Sequence, residues 1–257
     1  MSEQPAEPDL RPPADDAEAL HLLRTGEIDL EGRMLDASNV TLVGTIRSGD
    51  VGGECVYKPV AGERPLWDFP DGTLAEREVA TYLVGAATGW EPVPPTVLRE
   101  GPMGTGMAQL WIAHDDSFDM IGAINSGQSR ALQRIALLDA VVNNSDRKVS
   151  HLLPVTAGPP GEVEPHVYGI DHGVSFATDN KLRTVLWQWA GDPIPDEGIE
   201  LLRRLTRLLE QGLGEQLSLL LTTAEVKAAR RRVQRLLARG TFPMPPTDWP
   251  AIPYPPY

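Results

Sequence analysis

The chain has 257 residues, of which 41% are hydrophobic and 23% are charged, and its formal net charge is -13. This size allows one core or two lobes that share a cleft, and the composition excludes wholesale disorder. The acidic balance argues against nucleic acid as a partner, and a single cysteine, Cys55, excludes an intrachain disulfide and a cysteine-built zinc site.

Residues 1–14 are acidic and proline-rich, so we expect a disordered leader there. The segment lacks the basic and apolar regions of a secretory signal, and no apolar run approaches the roughly 18 to 20 residues that span a bilayer. We therefore expect a cytoplasmic protein without a transmembrane segment. Asp15 or Asp16 is expected to cap a short helix that ends at Gly26.

Residues 40–60 alternate in the manner of a β-hairpin around the turn-rich run SGDVGG. Lys58 falls near the end of the second strand of this hairpin. The segments 93–100 and 107–115 are expected to form two further strands, which a glycine-rich connection joins. A small antiparallel sheet is therefore predicted in the first half of the chain.

A helix with an apolar stripe is predicted between the two pairs of strands. Thr73 and Glu76 have the spacing of a capping box at its beginning, and Gly89 is placed to end it. This interpretation gives Glu76 a structural role. It leaves Glu78, which points to another side of the helix, free for a different one.

A second clearly marked helix is predicted from Ser129 to Asn143, and a polar loop with Asp146 follows it. Pro-Pro-Gly at 159–161 marks a hairpin tip, after which the short apolar strand HVYGID delivers Asp171. The chain therefore has an aspartate after a helix and another at the end of a strand.

The segment from about 197 to 239 is predicted to be helical, with a capping box at Thr222 and Glu225. The proline-rich tail, 241–257, cannot form a regular helix or sheet. We favour packing of its aromatic side chains against the body over disorder; these are Trp249, Tyr254 and Tyr257.

Four polar residues then occur in an order typical of phosphoryl transfer: Lys58 after a hairpin strand, Glu78 in the next helix, Asp146 and Asp171. Phosphoryl transfer needs cations to neutralise the phosphates, carboxylates to hold a metal and one carboxylate to orient the attacking hydroxyl. Each residue alone is weak evidence, and their joint order is what favours a kinase.

Three segments carry a resemblance to a known family. DAVVNNSDRKVSHLL resembles the catalytic loop of phosphatidylinositol 3/4-kinase-like enzymes, and VYGIDHGVSFA resembles their metal-binding loop, closest to type II phosphatidylinositol 4-kinases. VYKPVAGERPLWDFPDG resembles the strand with the nucleotide lysine. The resemblance covers roughly residues 35–190, and HipA-like protein kinases share the architecture.

The resemblance implies an α+β, bilobal protein-kinase-like fold. The N-lobe, a small antiparallel sheet with one helix, is expected at 15–113, and the mainly helical C-lobe is expected at 114–240.

The resemblance also assigns roles. Asp146 is expected to orient the acceptor hydroxyl, and Asp171 is expected to bind Mg²⁺ at the phosphates of ATP. Lys58 is expected to contact the α- and β-phosphates while an ion pair with Glu78 holds it.

Further residues follow from position in the family pattern. Arg147 and Lys148 are placed to stabilise Asp146 or the transferring phosphoryl group. The hinge that meets adenine is expected around Gln109, Trp111 and Ile112, and the phosphate-covering loop is expected at Asp36-Ala37-Ser38-Asn39.

The sequence departs from the family pattern at two points. His151 stands where the family has a metal-binding Asn, and imidazole suits Mn²⁺ better than Mg²⁺. His151 therefore binds a softer cation, positions a water or is only a polar residue that faces Asp171. The chain also lacks a glycine-rich loop over the phosphates.

The leading hypothesis is an ATP-dependent kinase that transfers the γ-phosphoryl group to a hydroxyl of a protein or small-molecule acceptor. The charge and the absence of a membrane-binding helix argue against a lipid acceptor but leave one at a membrane surface open. The alternatives are a catalytically weak nucleotide-binding regulatory pseudokinase, and nucleotidyl transfer from ATP.

One basic segment stands out in this acidic chain, with cations between Lys227 and Arg239. It could meet an acidic partner or phosphate. The ordinary interpretation, a solvated helix face with cations near its C-terminal end, is favoured from sequence.

Overall fold

The computed structural model describes residues 10–35, 38–156 and 164–257. The hairpin tip predicted at 159–161 lies outside these residues. The strands are β1 (Glu27–Arg33), β2 (Leu42–Ser48), β3 (Val51–Pro59), β4 (Thr96–Gly101), β5 (Gly104–Leu110), β6 (Leu152–Val155) and β7 (His166–Gly169). The helices are α1 (Asp16–Thr25), α2 (Leu74–Thr88), α3 (Met120–Ser126), α4 (Arg130–Val142), α5 (Asp196–Leu209), α6 (Gly212–Leu217) and α7 (Thr223–Arg239).

A five-stranded antiparallel sheet in the order β1-β2-β3-β5-β4 forms the first part of the structure, and helices dominate the second. The predicted α+β class is confirmed. β2 and β3 form the expected hairpin, in which Lys58 pairs with Met107 of β5 and Val56 pairs with Gln109. Because side chains alternate across a strand, Lys58 and Gln109 lie on the same face of the sheet.

The first helix begins as the sequence indicates, because the Asp15 side chain accepts a hydrogen bond from the Glu18 amide (2.8 Å). Residues 1–9 of the predicted leader lie outside the described residues, whereas residues 10–14 are described. The Arg11 amide donates to the Asp50 carbonyl (3.0 Å), and the Gly52 amide donates to the Arg11 carbonyl (2.9 Å). These two bonds attach the chain to the sheet upstream of α1.

The capping box predicted for α2 is wrong, although the helix itself is present and ends at Gly89 in the left-handed conformation. The Thr73 hydroxyl donates to the Pro70 carbonyl (2.8 Å) instead. The Glu63 carboxylate accepts from the amides of Leu74 (3.1 Å) and Ala75 (2.9 Å). A more distant acid therefore satisfies the free amides at this helix end.

The helical part packs around α4, whose buried side chains include Leu132, Ile135 and Leu138. A buried ion pair joins α2 to α7, with Arg77 Nη2 and Glu225 Oε1 2.5 Å apart. Glu225 also completes the predicted capping box at the start of α7, which is confirmed. No described helix is long and apolar enough to cross a bilayer.

The proline-rich tail packs against the body in part. The Trp187 indole donates to the Ala251 carbonyl (2.8 Å), and the Val149 amide donates to the Pro256 carbonyl (2.9 Å). Trp249 faces the cations of the 181–183 segment. Two of the expected anchors do not pack, because Tyr254 and Tyr257 are exposed.

Candidate active site

Three elements bring a lysine and two carboxylates together. Lys58 is near the end of β3, Glu78 is in α2 and Asp171 follows β7. Lys58 Nζ lies 2.7 Å from Glu78 Oε1 and 2.8 Å from Asp171 Oδ1. The sequence prediction that Glu78, rather than Glu76, faces the lysine agrees with this geometry.

Burial alone would lower the pKa of Lys58, but the carboxylates of Asp171 and Glu78 raise it above its usual value. Burial raises the pKa of Glu78, which is only 3% exposed, and Lys58 opposes that rise. Burial would also raise the pKa of Asp171, but Lys58 and then His151 hold it below its usual range. The lysine is therefore charged, and Asp171 is ionised.

The segment after β7 turns sharply to present Asp171. Asp171 has a positive φ of 58°, which is uncommon for a residue other than glycine. The next amide, that of His172, donates to Glu78 Oε2 (2.8 Å), so each oxygen of Glu78 has a partner. Glu78 thus fixes both the lysine and the turn.

His151 lies on the other side of Asp171, with Nε2 3.3 Å from Oδ2. Burial lowers the pKa of His151, and Asp171 opposes this effect. A neutral imidazole keeps a lone pair on one ring nitrogen, which can bind a metal. The Nδ1 nitrogen of His151 is buried and has no hydrogen-bond partner among the described residues.

These two side chains fit a divalent cation of the kind that kinases use. A kinase cation takes one or two protein ligands and completes its shell with phosphate oxygens and water, so a larger ligand cluster is not required. No group of three or more His, Cys, Asp or Glu side chains that could hold a metal ion is found in the described ranges. The pair of one oxygen and one nitrogen suits Mn²⁺ better than Mg²⁺.

Asp146 lies in the loop after α4 and is partly exposed, with 25% of its side chain accessible. Lys148 Nζ is 3.0 Å from Asp146 Oδ2. The Asn144 side chain accepts from the Asp146 amide (3.0 Å), which fixes the loop. Lys148 is therefore next to Asp146, as predicted.

Arg147 does not face the cleft, contrary to its predicted role at the phosphoryl group. It is 0% exposed, and its guanidinium forms a bidentate pair with Asp139, at 2.9 Å for both bonds. The other donors reach the carbonyls of His151 (3.1 Å) and Ile170 (2.8 Å) and the His172 ring (2.6 Å). All five N–H groups are used, so none is left for a substrate.

The buried imidazole of His172 is neutral. Its Nε2 must accept from Arg147, because a guanidinium is never an acceptor. Burial and then Arg147 lower its pKa well below the usual value. The ring is fully buried and so supports the loop rather than contacting a substrate.

The predicted phosphate-covering loop is described only in part, because residues 36 and 37 lie outside the described ranges. Ser38 is exposed. Asn39 borders the cleft next to Lys58, but its side-chain oxygen accepts from the Arg64 amide (2.8 Å). Asn39 therefore holds the turn after β3. Ser38 supplies the exposed hydroxyl in the described part of this loop.

The predicted hinge continues β5. The Gln109 side chain is buried and donates to the Thr96 hydroxyl (2.8 Å). The Trp111 amide donates to the Glu54 carbonyl (3.0 Å), so it is not available to adenine. Ile112 is half-buried at the start of the next loop. The Trp111 N–H is therefore not free for adenine, and the hinge expected around these residues stays a prediction.

Sequence reasoning gave no site role to Asp139, Glu63 or His172. Asp139 had a usable signal: it is an acid among the apolar positions of α4, and a charge on a buried face needs a partner. Glu63 had none, because it is distant in sequence from the helix that it caps.

Known proteins resemble this chain in sequence and in fold. No protein-family profile matches the chain. Protein Rv2133c of Mycobacterium tuberculosis (strain ATCC 25618 / H37Rv) is 40% identical over 277 aligned positions, which cover 93% of this chain and 96% of that protein.

Two solved structures are similar to the fold. The Golgi casein kinase with Mn/ADP bound has a TM-score of 0.60 at 16% identity, over 88% of this chain and 76% of that one. Hydra Fam20 with sugar has a TM-score of 0.57 at 14% identity, over 88% and 89%. The predicted kinase-like fold is confirmed, and the narrower resemblance to phosphatidylinositol 3/4-kinase-like or HipA-like enzymes stays a prediction.

Proposed function

The chain belongs to the family of Protein Rv2133c of Mycobacterium tuberculosis, and we propose that it is a phosphotransferase that uses ATP. It transfers the γ-phosphoryl group to a hydroxyl of a protein or small-molecule acceptor. The kinase-like fold supports this function, and one similar structure, the Golgi casein kinase, is a kinase with Mn/ADP bound.

One observation carries the proposal: Lys58 contacts Glu78 and Asp171 at 2.7 and 2.8 Å, and His151 lies at the free oxygen of Asp171. Here a lysine is shared by two carboxylates at the edge of a cleft, beside a neutral histidine. This arrangement suits the phosphates of a nucleotide and a cation.

The proposed reaction uses these groups in order. Lys58 donates to phosphate oxygens of ATP while Glu78 keeps it in place. The acceptor hydroxyl transfers its proton to Asp146 as its oxygen bonds to the γ-phosphorus. The bond from that phosphorus to the β–γ bridging oxygen breaks, and ADP leaves with the electron pair. When a divalent cation is bound by Asp171 and His151, it supplies positive charge to the phosphates.

Lys148 would counter the negative charge of Asp146 and approach the transferring group. Arg147 acts differently in this scheme: it ties the catalytic loop to the carbonyls at His151 and Ile170. We also propose that the cleft separates an N-lobe at 15–113 from a C-lobe at 114–240.

The test is transfer of label from γ- and α-labelled ATP, in Mg²⁺ and in Mn²⁺, with dephosphorylated casein as a general protein acceptor and ADP formation measured in parallel. We expect γ-label transfer and a fall of about 100-fold or more in Asp146→Asn and Asp171→Asn. The matched control is Asp29→Asn, which makes the same change from carboxylate to carboxamide at an exposed position of the edge strand β1.

Transfer that survives both cleft substitutions would overturn the mechanism. ATP binding without ADP formation for any acceptor, including water, would indicate a nucleotide-binding module. Transfer of α-label would indicate nucleotidyl transfer.

A further inference from the structure

The basic segment found in the sequence divides into two faces on α7. Four arginines at helical spacing form a stripe, which we call the arginine stripe: Arg231, Arg232, Arg235 and Arg239. This stripe lines two neighbouring cavities, of about 370 and 190 Å³, which share Arg232, Arg235 and the loop residue Asn180. Lys227, on the same helix, is exposed and lines neither cavity.

Arg232 is the buried member of the arginine stripe. It is 8% exposed, and it donates to the carbonyls of Val141 (3.0 Å) and Ala177 (2.9 Å). Its remaining nitrogen, Nη2, is buried, and no acceptor from the described part of the chain lies within hydrogen-bond distance. Buried donors without acceptors are rare in folded proteins and need an explanation.

The charges around Arg232 strengthen the case for a missing anion. Burial and then the charges of Arg231 and Arg235 lower the pKa of Arg232 to about 10, so these cations are close enough to repel one another. Within residues 10–35, 38–156 and 164–257, no carboxylate lies within 4.0 Å of any arginine of the stripe. The nearby Glu225 is already paired with Arg77.

A solvated helix face explains exposed cations such as Lys227 but does not explain Arg232. A buried guanidinium with a free donor, at the wall of two cavities and among three more cations, fits an anion with several charges. The rigid fork of arginine matches phosphate oxygens, and neighbouring forks can share one group.

We propose that the arginine stripe and Asn180 form a binding site for a phosphate-bearing small molecule. The group that the site recognises is a phosphate with about two negative charges, which either a phosphate monoester or pyrophosphate can supply. The site does not depend on the phosphotransferase activity proposed above, because it is separate from the cleft with Lys58 and is tested by binding.

The position of the site connects it to both catalytic segments. Val141 is in the last turn of α4, which leads into the loop of Asp146, and Ala177 follows the turn of Asp171. Because Arg232 holds both carbonyls, an anion on its third nitrogen lies directly behind these two segments.

The test is calorimetric titration of the full chain with pyrophosphate and, separately, with glucose 6-phosphate, at constant ionic strength and without ATP. We expect binding that weakens about tenfold in Arg235→Ala and again in Arg239→Ala. These arginines are exposed, so their loss should leave the fold intact. The ligand that binds more tightly, pyrophosphate or glucose 6-phosphate, identifies the phosphate chemistry that the site prefers.

Two controls separate this site from other effects. Arg207→Ala removes an exposed arginine of the same charge from α5 and should bind as the wild type does. Lys58→Met removes the cation of the cleft and should leave this binding unchanged. The proposal is overturned if neither phosphate binds, if Arg207→Ala weakens binding as much as Arg235→Ala, or if Lys58→Met alone abolishes it.

Discussion

Replacement of Lys58 by Met removes the cation that two carboxylates share. Glu78 would keep the bond from the His172 amide (2.8 Å) and lose its charge partner, although its side chain is only 3% exposed. Asp171 would lose a partner too, but 45% of its side chain is exposed, so water can replace the lysine. The main cost therefore falls on Glu78.

The size of that cost follows from burial. Removal of one partner of a buried pair costs about 3–5 kcal/mol, and we expect about 3 kcal/mol because Asp171 is hydrated. For a chain of this size, the unfolding midpoint should fall by about 6 to 12 °C. Lys58→Met/Glu78→Gln should recover most of this stability, since the charge that remains without its partner, on Asp171, is hydrated, but it should not recover phosphoryl transfer.

The loss of stability should depend on pH. The pKa of Glu78 is already raised by burial, and the loss of Lys58 raises it further. A group with a raised folded-state pKa contributes stability that is present at low pH and is lost as pH rises through that pKa. The difference in unfolding free energy between the wild type and Lys58→Met should therefore be wider at pH 8 than at pH 5.

Urea denaturation at the two pH values measures this difference, with Lys227→Met as a control for the loss of an exposed lysine on α7. Two results would refute the reasoning. One is a Lys58→Met variant as stable as the wild type at pH 8. The other is a double variant that is no more stable than the single one.

Three further substitutions test separate contacts. His151→Asn should shift the ratio of Mg²⁺- to Mn²⁺-supported label transfer toward Mg²⁺ by about tenfold, because it replaces nitrogen with oxygen; an unchanged ratio would exclude direct ligation. Arg77→Met should cost about 3 kcal/mol in urea unfolding and Arg77→Met/Glu225→Gln less, whereas equal losses would contradict a charge effect. Trp249→Ala should cost up to about 1 kcal/mol in thermal unfolding, and Tyr254→Ala, which changes a 94% exposed side chain, should cost nothing; equal shifts would argue against tail packing through Trp249.

The parts of the fold that local chemistry controls could be predicted from the sequence. Gly89 and Asn143 end their helices in the left-handed conformation, and Thr222 begins α7, because these caps depend on neighbouring residues. β1 was not predicted, since its charged residues alternate with few apolar ones and only Ile28 is buried. An edge strand with one buried position gives little periodic signal.

A carboxylate from a more distant residue explains why the capping box predicted at α2 does not form. Thr73 and Glu76 have the required spacing, but Glu63 places a carboxylate at the same amides from a separate turn. A carboxylate is favoured there by the positive end of the helix dipole, and a threonine hydroxyl is a weaker acceptor. Sequence spacing cannot show such a competitor, because the turn that brings Glu63 close depends on the packed sheet.

The same limit explains two outcomes at the candidate active site. The order of residues placed Lys58 beside Glu78 and Asp171, since a motif fixes which segments meet. It did not fix the direction of Arg147, which lies beside Asp146 in sequence yet points into the core toward Asp139. A buried arginine with every donor used holds the carbonyls of His151, which is a proposed cation ligand, and of Ile170, which precedes the other, Asp171. The arginine of this loop therefore fixes the separation of two backbone segments, and in the proposed reaction the charge that meets the phosphates comes from Lys58 and Lys148.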